Sequence, residues 1–296
     1  MRSKRPLIGQ CKNLAKEHVD DPDKPAAPDG DSGFAKWVQI ALILLRTELD
    51  KSLRESEAWF NDSKPISDEL NIDTSPDHTT LCRWEQKFDM RELRSLLRRS
   101  AEQTGWTGVG AIDASGFQRD QTSHHYCNRA NYSFQSMKTT ILADVETLAI
   151  KDVHFTTQKS YDGHVGMQVF RRNAGDLRVL LADKGYSWGD LREECREEST
   201  RPLIKHKEHN GLKKAHNARI GDDVYHQRWM CETDFSMLKL DDGEKLRSWS
   251  WHGQFRELTR KCIVHNLPQA ASYGLAACAL SLDVSTRDIT VTHVDV

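Results

Sequence analysis

V-G-A-I-D-A-S-G-F, residues 109–117, is where the chain stops reading as helix and begins reading as sheet. The stretch is short, aliphatic and small, with Asp113 at the end of its apolar run, which predicts a buried strand ending in a carboxylate. M-K-T-T-I-L-A-D-V from Met137, L-A-I-K-D-V-H-F-T from Leu148 and L-R-V-L-L-A-D from Leu177 have the same texture, and R-P-L-I-K from Arg201 reads as one more strand. H-V-G-M-Q-V-F-R-R-N from His164 and W-G-D-L-R-E-E-C-R-E-E-S from Trp188 are helical segments between the later strands. Strands first and strand–helix alternation afterwards predict an α/β core built on a mixed sheet.

Working outward toward the N-terminus, residues 34–60 carry apolar side chains at helical spacing with no breaker, which predicts one long helix. A break at N-D-S-K-P follows, then I-S-D-E-L-N-I-D, and then a helix start at Ser75–Pro76, an N-cap residue with proline at the first helical position. R-E-L-R-S-L-L-R-R-S-A-E-Q-T-G-W is a further amphipathic helix, and the short helices before it are compatible with a helix-turn-helix. Residues 20–33 are acidic and rich in Pro and Gly. The expected division is a flexible lead-in over 1–33, an all-helical domain over 34–106, the α/β core over 107–271 and a loosely ordered tail over 272–296.

Composition narrows the function only by exclusion. The chain has 296 residues, 38% hydrophobic and 29% charged, with 42 Lys and Arg against 44 Asp and Glu for a formal charge of −2, so net charge does not advertise a nucleic-acid partner. Bases are clustered instead, at Arg91, Arg94, Arg98 and Arg99 and again from Arg201 through Lys205, Lys207, Lys213 and Lys214 to Arg219. Either cluster alone is an ordinary solvated surface. Seven widely spaced cysteines without a C-x-x-C suit a reducing interior. No apolar run approaches the roughly 18 residues of a membrane span, and no signal-peptide core follows the basic start. A cytoplasmic protein with no membrane partner is expected.

Chemistry enters through the carboxylates. Asp113 ends one strand and Asp183, in V-L-L-A-D-K-G-Y, ends another, each followed within three residues by glycine. Carboxylates at the ends of neighbouring buried strands repel one another. A divalent cation resolves that repulsion, and hard oxygen donors suit Mg²⁺ or Mn²⁺. On a continuous helix over 225–239, with Tyr225 at 0°, Arg228, Glu232 and Lys239 fall at roughly −60°, −20° and −40°, one polar stripe. Met230, Cys231, Met237 and Leu238 occupy the opposite side, and Asp234 falls among them, a charge the helix wheel leaves without explanation.

Y-x2-R-x3-E-x6-K, here Tyr225, Arg228, Glu232 and Lys239, together with I-D-A-S-G-F and L-A-D-K-G-Y, resembles the signature of the DDE transposases of bacterial and archaeal insertion sequences, closest in character to insertion-sequence family five. The resemblance covers about residues 107–271. It implies an RNase H-like catalytic core in which Asp113, Asp183 and Glu232 hold two divalent ions for phosphodiester cleavage and 3′-hydroxyl strand transfer. It also implies DNA as partner, both terminal inverted repeats and target, a homodimer in the DNA complex, and nucleoid association. Tyr225, Arg228 and Lys239 are then candidate DNA contacts. The helical domain is the candidate reader of the repeats, with Arg94, Arg98 and Arg99 on phosphates.

Two rival readings share the fold: an RNase H-like nuclease that never joins strands, and an inactive DNA-binding descendant. A zinc site at His124, His125 and Cys127 or at His206, His209 and His216 lacks the paired ligand spacing that structural zinc requires. Trp188, Trp229, Trp249 and Trp251 are candidates for base stacking, although tryptophan more often fills a core.

Overall fold

Strand β1 (Val109–Arg119) organises the computed structural model, which describes residues 5–27, 33–119, 136–156, 160–220, 222–241 and 245–287. On one side β1 pairs antiparallel with β2 (Met137–Asp144), which pairs antiparallel with β3 (Ile150–Thr156). On the other side it pairs in parallel with β4 (Val179–Ala182), which pairs in parallel with β5 (Arg201–Ile204). The order is therefore β3-β2-β1-β4-β5, with β6 (Lys245–Leu246) added in parallel to the far end of β1. This is the mixed sheet the strand pattern predicts. Strand β1 does not end at Asp113, however. It runs on to Arg119, because β2 continues to pair with it through Phe117.

The two faces of the sheet bury different partners. On one, Ile112, Leu142 and Leu180 pack with Val165, Val169 and Phe170 of α7 (Asp162–Asn173) and Leu191 and Cys195 of α8 (Gly189–Glu197). On the other, Ala111, Phe117, Ile141 and Val153 join one contiguous cluster with α11 (Met230–Asp241), α12 (Trp251–Arg287) and the N-terminal helices. Those are α1 (Arg5–His18), α2 (Lys36–Leu49), α3 (Leu53–Asp62), α4 (Lys64–Leu70), α5 (His78–Lys87) and α6 (Met90–Gln103). The helical region and the sheet thus share a core.

Local sequence accounts for most of the helix ends. Ser52 and Glu55 form a reciprocal capping box that starts α3, and Asp50 in the left-handed conformation ends α2, so the predicted single helix over 34–60 is two. Asp77, not Ser75, caps α5, its carboxylate accepting from the Thr80 N–H at 2.7 Å. The lead-in is the larger correction. Residues 5–18 are helix, with Leu7, Ile8, Cys11, Leu14 and Ala15 buried, and the acidic loop behind it is tied down where the Trp37 indole donates to the Lys24 carbonyl at 2.9 Å. The tail expected from 272 is helical to Arg287. Among the described residues no helix is long and apolar enough to cross a membrane.

Candidate active site

Ile112 and Ala182 are the last partners of the parallel β1–β4 ladder, so the next residues stand side by side, Asp113 still within β1 and Asp183 just past the end of β4. Asp183 begins a tight 3-10 turn over Lys184–Tyr186, and its Oδ1 accepts from the Gly185 N–H at 2.8 Å. A Cβ at Gly185 would lie 2.9 Å from that same oxygen, which is why the chain can fold back onto the carboxylate only with glycine there. The Asp113 carboxyl is pushed above its ordinary range, first by burial, with Asp183 and Glu232 adding repulsion against the Ala114 backbone hydrogen bond and Arg228.

Glu232 reaches the same edge from above the sheet. The Cys231 thiol donates to the Ala111 carbonyl at 3.3 Å, two residues before Asp113, and Phe235 packs on Phe117 with ring centroids 6.4 Å apart. These contacts fix α11 across β1 and turn Glu232 outward, where its side chain is 63% exposed and lies 3.8 Å from Arg228. Among the described residues no three His, Cys, Asp or Glu side chains are gathered closely enough to hold a metal ion. Asp113 and Asp183 are adjacent, and Glu232 is turned toward Arg228.

Asp234, two residues on, points into the core and is fully buried. The charge that the helix wheel left unexplained has a partner: its Oδ1 lies 3.2 Å from the His265 ring nitrogen of α12, and that nitrogen also lies 3.2 Å from the Leu148 carbonyl. Burial pushes the Asp234 carboxyl up to about 6 despite the histidine, and its other oxygen has no hydrogen-bond partner among the described residues.

The helix predicted over 225–239 is interrupted. α10 (Asp222–His226) passes through a 3-10 turn at Gln227–Trp229 before α11 begins. Each 3-10 residue advances about 120° instead of 100°, which shifts the stripe by about 60° in all and leaves Tyr225 within it, so the burial of Tyr225 comes from what packs on it and not from the helix phase. Tyr225 is buried, with the Lys205 ammonium 4.3 Å from its ring centroid. Arg228 stays on the stripe, and Lys239 lies over Phe117 at 5.5 Å. Arg94 and Arg98 turn toward the protein. Arg94 faces the buried Asp152 and the Val153 carbonyl, and Arg98 donates to the Arg172 carbonyl at 2.9 Å. Asp152 also takes Arg172 at 2.7 Å, since a buried carboxylate needs cations around it. Arg99 is half-buried.

One group at this edge escaped the sequence reading. Asp162, at the start of α7, is paired with Lys138 of β2, and its Oδ2 lies 3.3 Å from where a Gly185 Cβ would stand. An acid in a helix's first turn reads as an ordinary dipole partner, which hid it. Beside it, His164 stacks edge-on with both Tyr161 and Trp188. His206 and His216 contact each other at 4.6 Å, whereas His124, His125 and Cys127 lie outside the described residues.

A mixed sheet with aspartates side by side where the β1–β4 pairing stops, and a helix carrying a glutamate across β1, gives a candidate carboxylate site at that edge. Residues 107–267, more than half of the chain, match the family model described as the transposase DDE domain, and the chain belongs to that family. It is therefore an enzyme of the transposase class, whose family acts on DNA and generally uses divalent metals. No curated protein matches the chain.

Proposed function

We propose that the chain is an insertion-sequence transposase of the family-five kind, which binds terminal inverted repeats, cleaves the strand at the element boundary and joins the freed 3′-hydroxyl to target DNA. The observation that carries this reading is the placing of Asp113 and Asp183 on adjacent parallel strands under a helix keyed to β1 by Cys231. An antiparallel run of three strands continued by two parallel ones, with the acidic pair at the junction, supports an RNase H-like core.

Asp113, Asp183 and Glu232 would hold two divalent ions, Mg²⁺ or Mn²⁺, which when bound acidify a water or 3′-hydroxyl and offset charge on the leaving oxygen. The donor chemistry fits. At Asp113 burial first, and then the charges of Asp183 and Glu232, raise the cost of ionisation, and hard oxygen ligands are what such ions take. Glu232 joins the pair by leaving Arg228, a small loss, since solvent-exposed ion pairs are worth about 0–1 kcal/mol. Arg228 then turns to a phosphate oxygen, with Lys239 on α11 and the Lys205 ammonium, seated on Tyr225, as further candidate phosphate contacts. Residues 34–106 read the repeats, with Arg99 the phosphate contact of its row, and two copies of the chain meet when the two ends are paired.

The test is cleavage of a labelled duplex bearing the terminal repeat, with Mg²⁺ or EDTA, by wild type and Glu232→Gln. Expected is metal-dependent nicking that falls at least about a thousandfold in the variant while binding persists. Full cleavage by the variant overturns the triad. Cleavage without joined product in the wild type makes the protein a nuclease.

A further inference from the structure

A crevice of about 1120 Å³ lies away from the carboxylate edge, between the α2–α3 turn with α5 on one side and β6 with the start of α12 on the other. It exceeds the roughly 300–1,000 Å³ of small-ligand pockets, and its walls set many charged side chains beside apolar surface. Seven of its twenty lining residues are Lys or Arg and three are Asp or Glu, in a chain where acids outnumber bases. All three acids are engaged. Glu85 takes Arg46 at 2.5 Å and Arg260 at 3.3 Å, Asp50 takes Arg247 at 2.9 Å, and Glu257 accepts from the backbone N–H groups of Arg247 and Ser248. The crevice therefore holds more positive charge than its own carboxylates offset. Arg256 adds to this, with its Nε buried and without a hydrogen-bond partner among the described residues.

One exposed aromatic side chain stands in the wall, and a second follows two residues on. Trp249, in the wall, is 79% exposed, an expensive position for an indole. Trp251 carries the Arg119 guanidinium 3.4 Å above its ring. Cations beside exposed flat rings suit a polymer with regular anions and stackable bases.

The position of the crevice sets its register relative to the carboxylates. β6 pairs with Gln118 and Arg119, five and six residues beyond Asp113 on β1. At about 3.3 Å per strand residue this is roughly 17–20 Å, the length of about five or six base pairs of B-form DNA. Resting on the transposase reading above, we propose that this crevice grips the sugar–phosphate backbone of the terminal-repeat DNA about five or six base pairs from the phosphate at the carboxylate edge, with Trp249 stacking on a base there.

The experiment compares full-length wild type with Lys51→Gln/Arg256→Gln and with Trp249→Ala, using terminal-repeat duplex titrated across salt concentration and ethylation interference on the same duplex. The double variant is expected to bind about tenfold more weakly at 0.1 M salt. Its slope of log affinity against log salt should fall by about two, one per lost phosphate contact. Interference should vanish at the fifth or sixth phosphate, and metal-dependent cleavage at saturating protein should remain. Trp249→Ala, on the surface, carries the test if the double variant fails to fold. It is expected to lose about tenfold in affinity with its salt slope unchanged. Unaltered affinity, slope and interference in folded variants overturn the crevice while leaving the transposase reading intact. A wild type that binds through the crevice but never cleaves overturns the catalytic reading alone.

Discussion

Glu232 and Asp234 stand two residues apart on α11 and live in opposite worlds. One is mostly exposed and paired loosely with Arg228; the other is fully buried and bonded to His265. A helix turns about 200° between them, so one carboxylate faces solvent while the other enters the core. On the proposed function the same chemical group is a reagent on the wet face and a structural element on the dry one, because desolvation fixes what a charge costs and therefore what it can be used for.

The sharpest way to break this contrast is at Glu232. Glu232→Gln should remove cleavage by at least about a thousandfold while changing stability by no more than about 0.5 kcal/mol, read in parallel cleavage and urea-unfolding experiments. A variant that unfolds would place Glu232 in the structure and erase the distinction.

Asp234→Ala should do the reverse at the fold. It strands His265 and opens a cavity between α11 and α12, and a loss of about 2–4 kcal/mol is expected in urea. Wild-type stability in that variant would mean the buried pair holds nothing together.

Acid titration sharpens the same point more gently. The Asp234 carboxyl sits at about 6 in the fold, above its value in an unfolded chain, so the folded state holds that proton more tightly. The associated stability is fully present below about pH 4, declines as pH rises, and is gone above about pH 6, on the order of 3 kcal/mol in all. The gap between wild type and Asp234→Asn should therefore move in the wild type's favour as pH drops from about 6 to about 4. Parallel curves over that window would show that the aspartate does not titrate there.

Arg228→Ala is the mildest change. Its half-solvated pair with Glu232 should contribute less than about 0.5 kcal/mol to folding, so the melting temperature should hardly move, while affinity for terminal-repeat DNA should drop several-fold. A clear fall in melting temperature would make the pair structural.

Residue periodicity and end signals determined much of this protein. The strands from β1 to β5 and the mixed sheet follow from short runs rich in aliphatic and β-branched residues, although β1 runs on past Asp113. The division of the first predicted helix was legible too, in the Ser52–Glu55 box that marks a helix start. Both kinds of signal are local, and local geometry is what a sequence states directly.

Only the tertiary structure decided the rest, because each remaining feature depends on a partner far along the chain. Residues 5–18 are held as helix by a face that α2 covers. Arg94 and Arg98 face inward because Asp152 and the Arg172 carbonyl meet them there, 50 or more residues away. Tyr225 is buried, with Lys205 from beyond β5 over its ring, although its place on the helix wheel is the polar stripe. Asp234 is tolerable in the core because His265 arrives from α12. Sequence fixes which side of a helix a residue occupies; whether that side is wet, dry, paired or free is set by what folds against it.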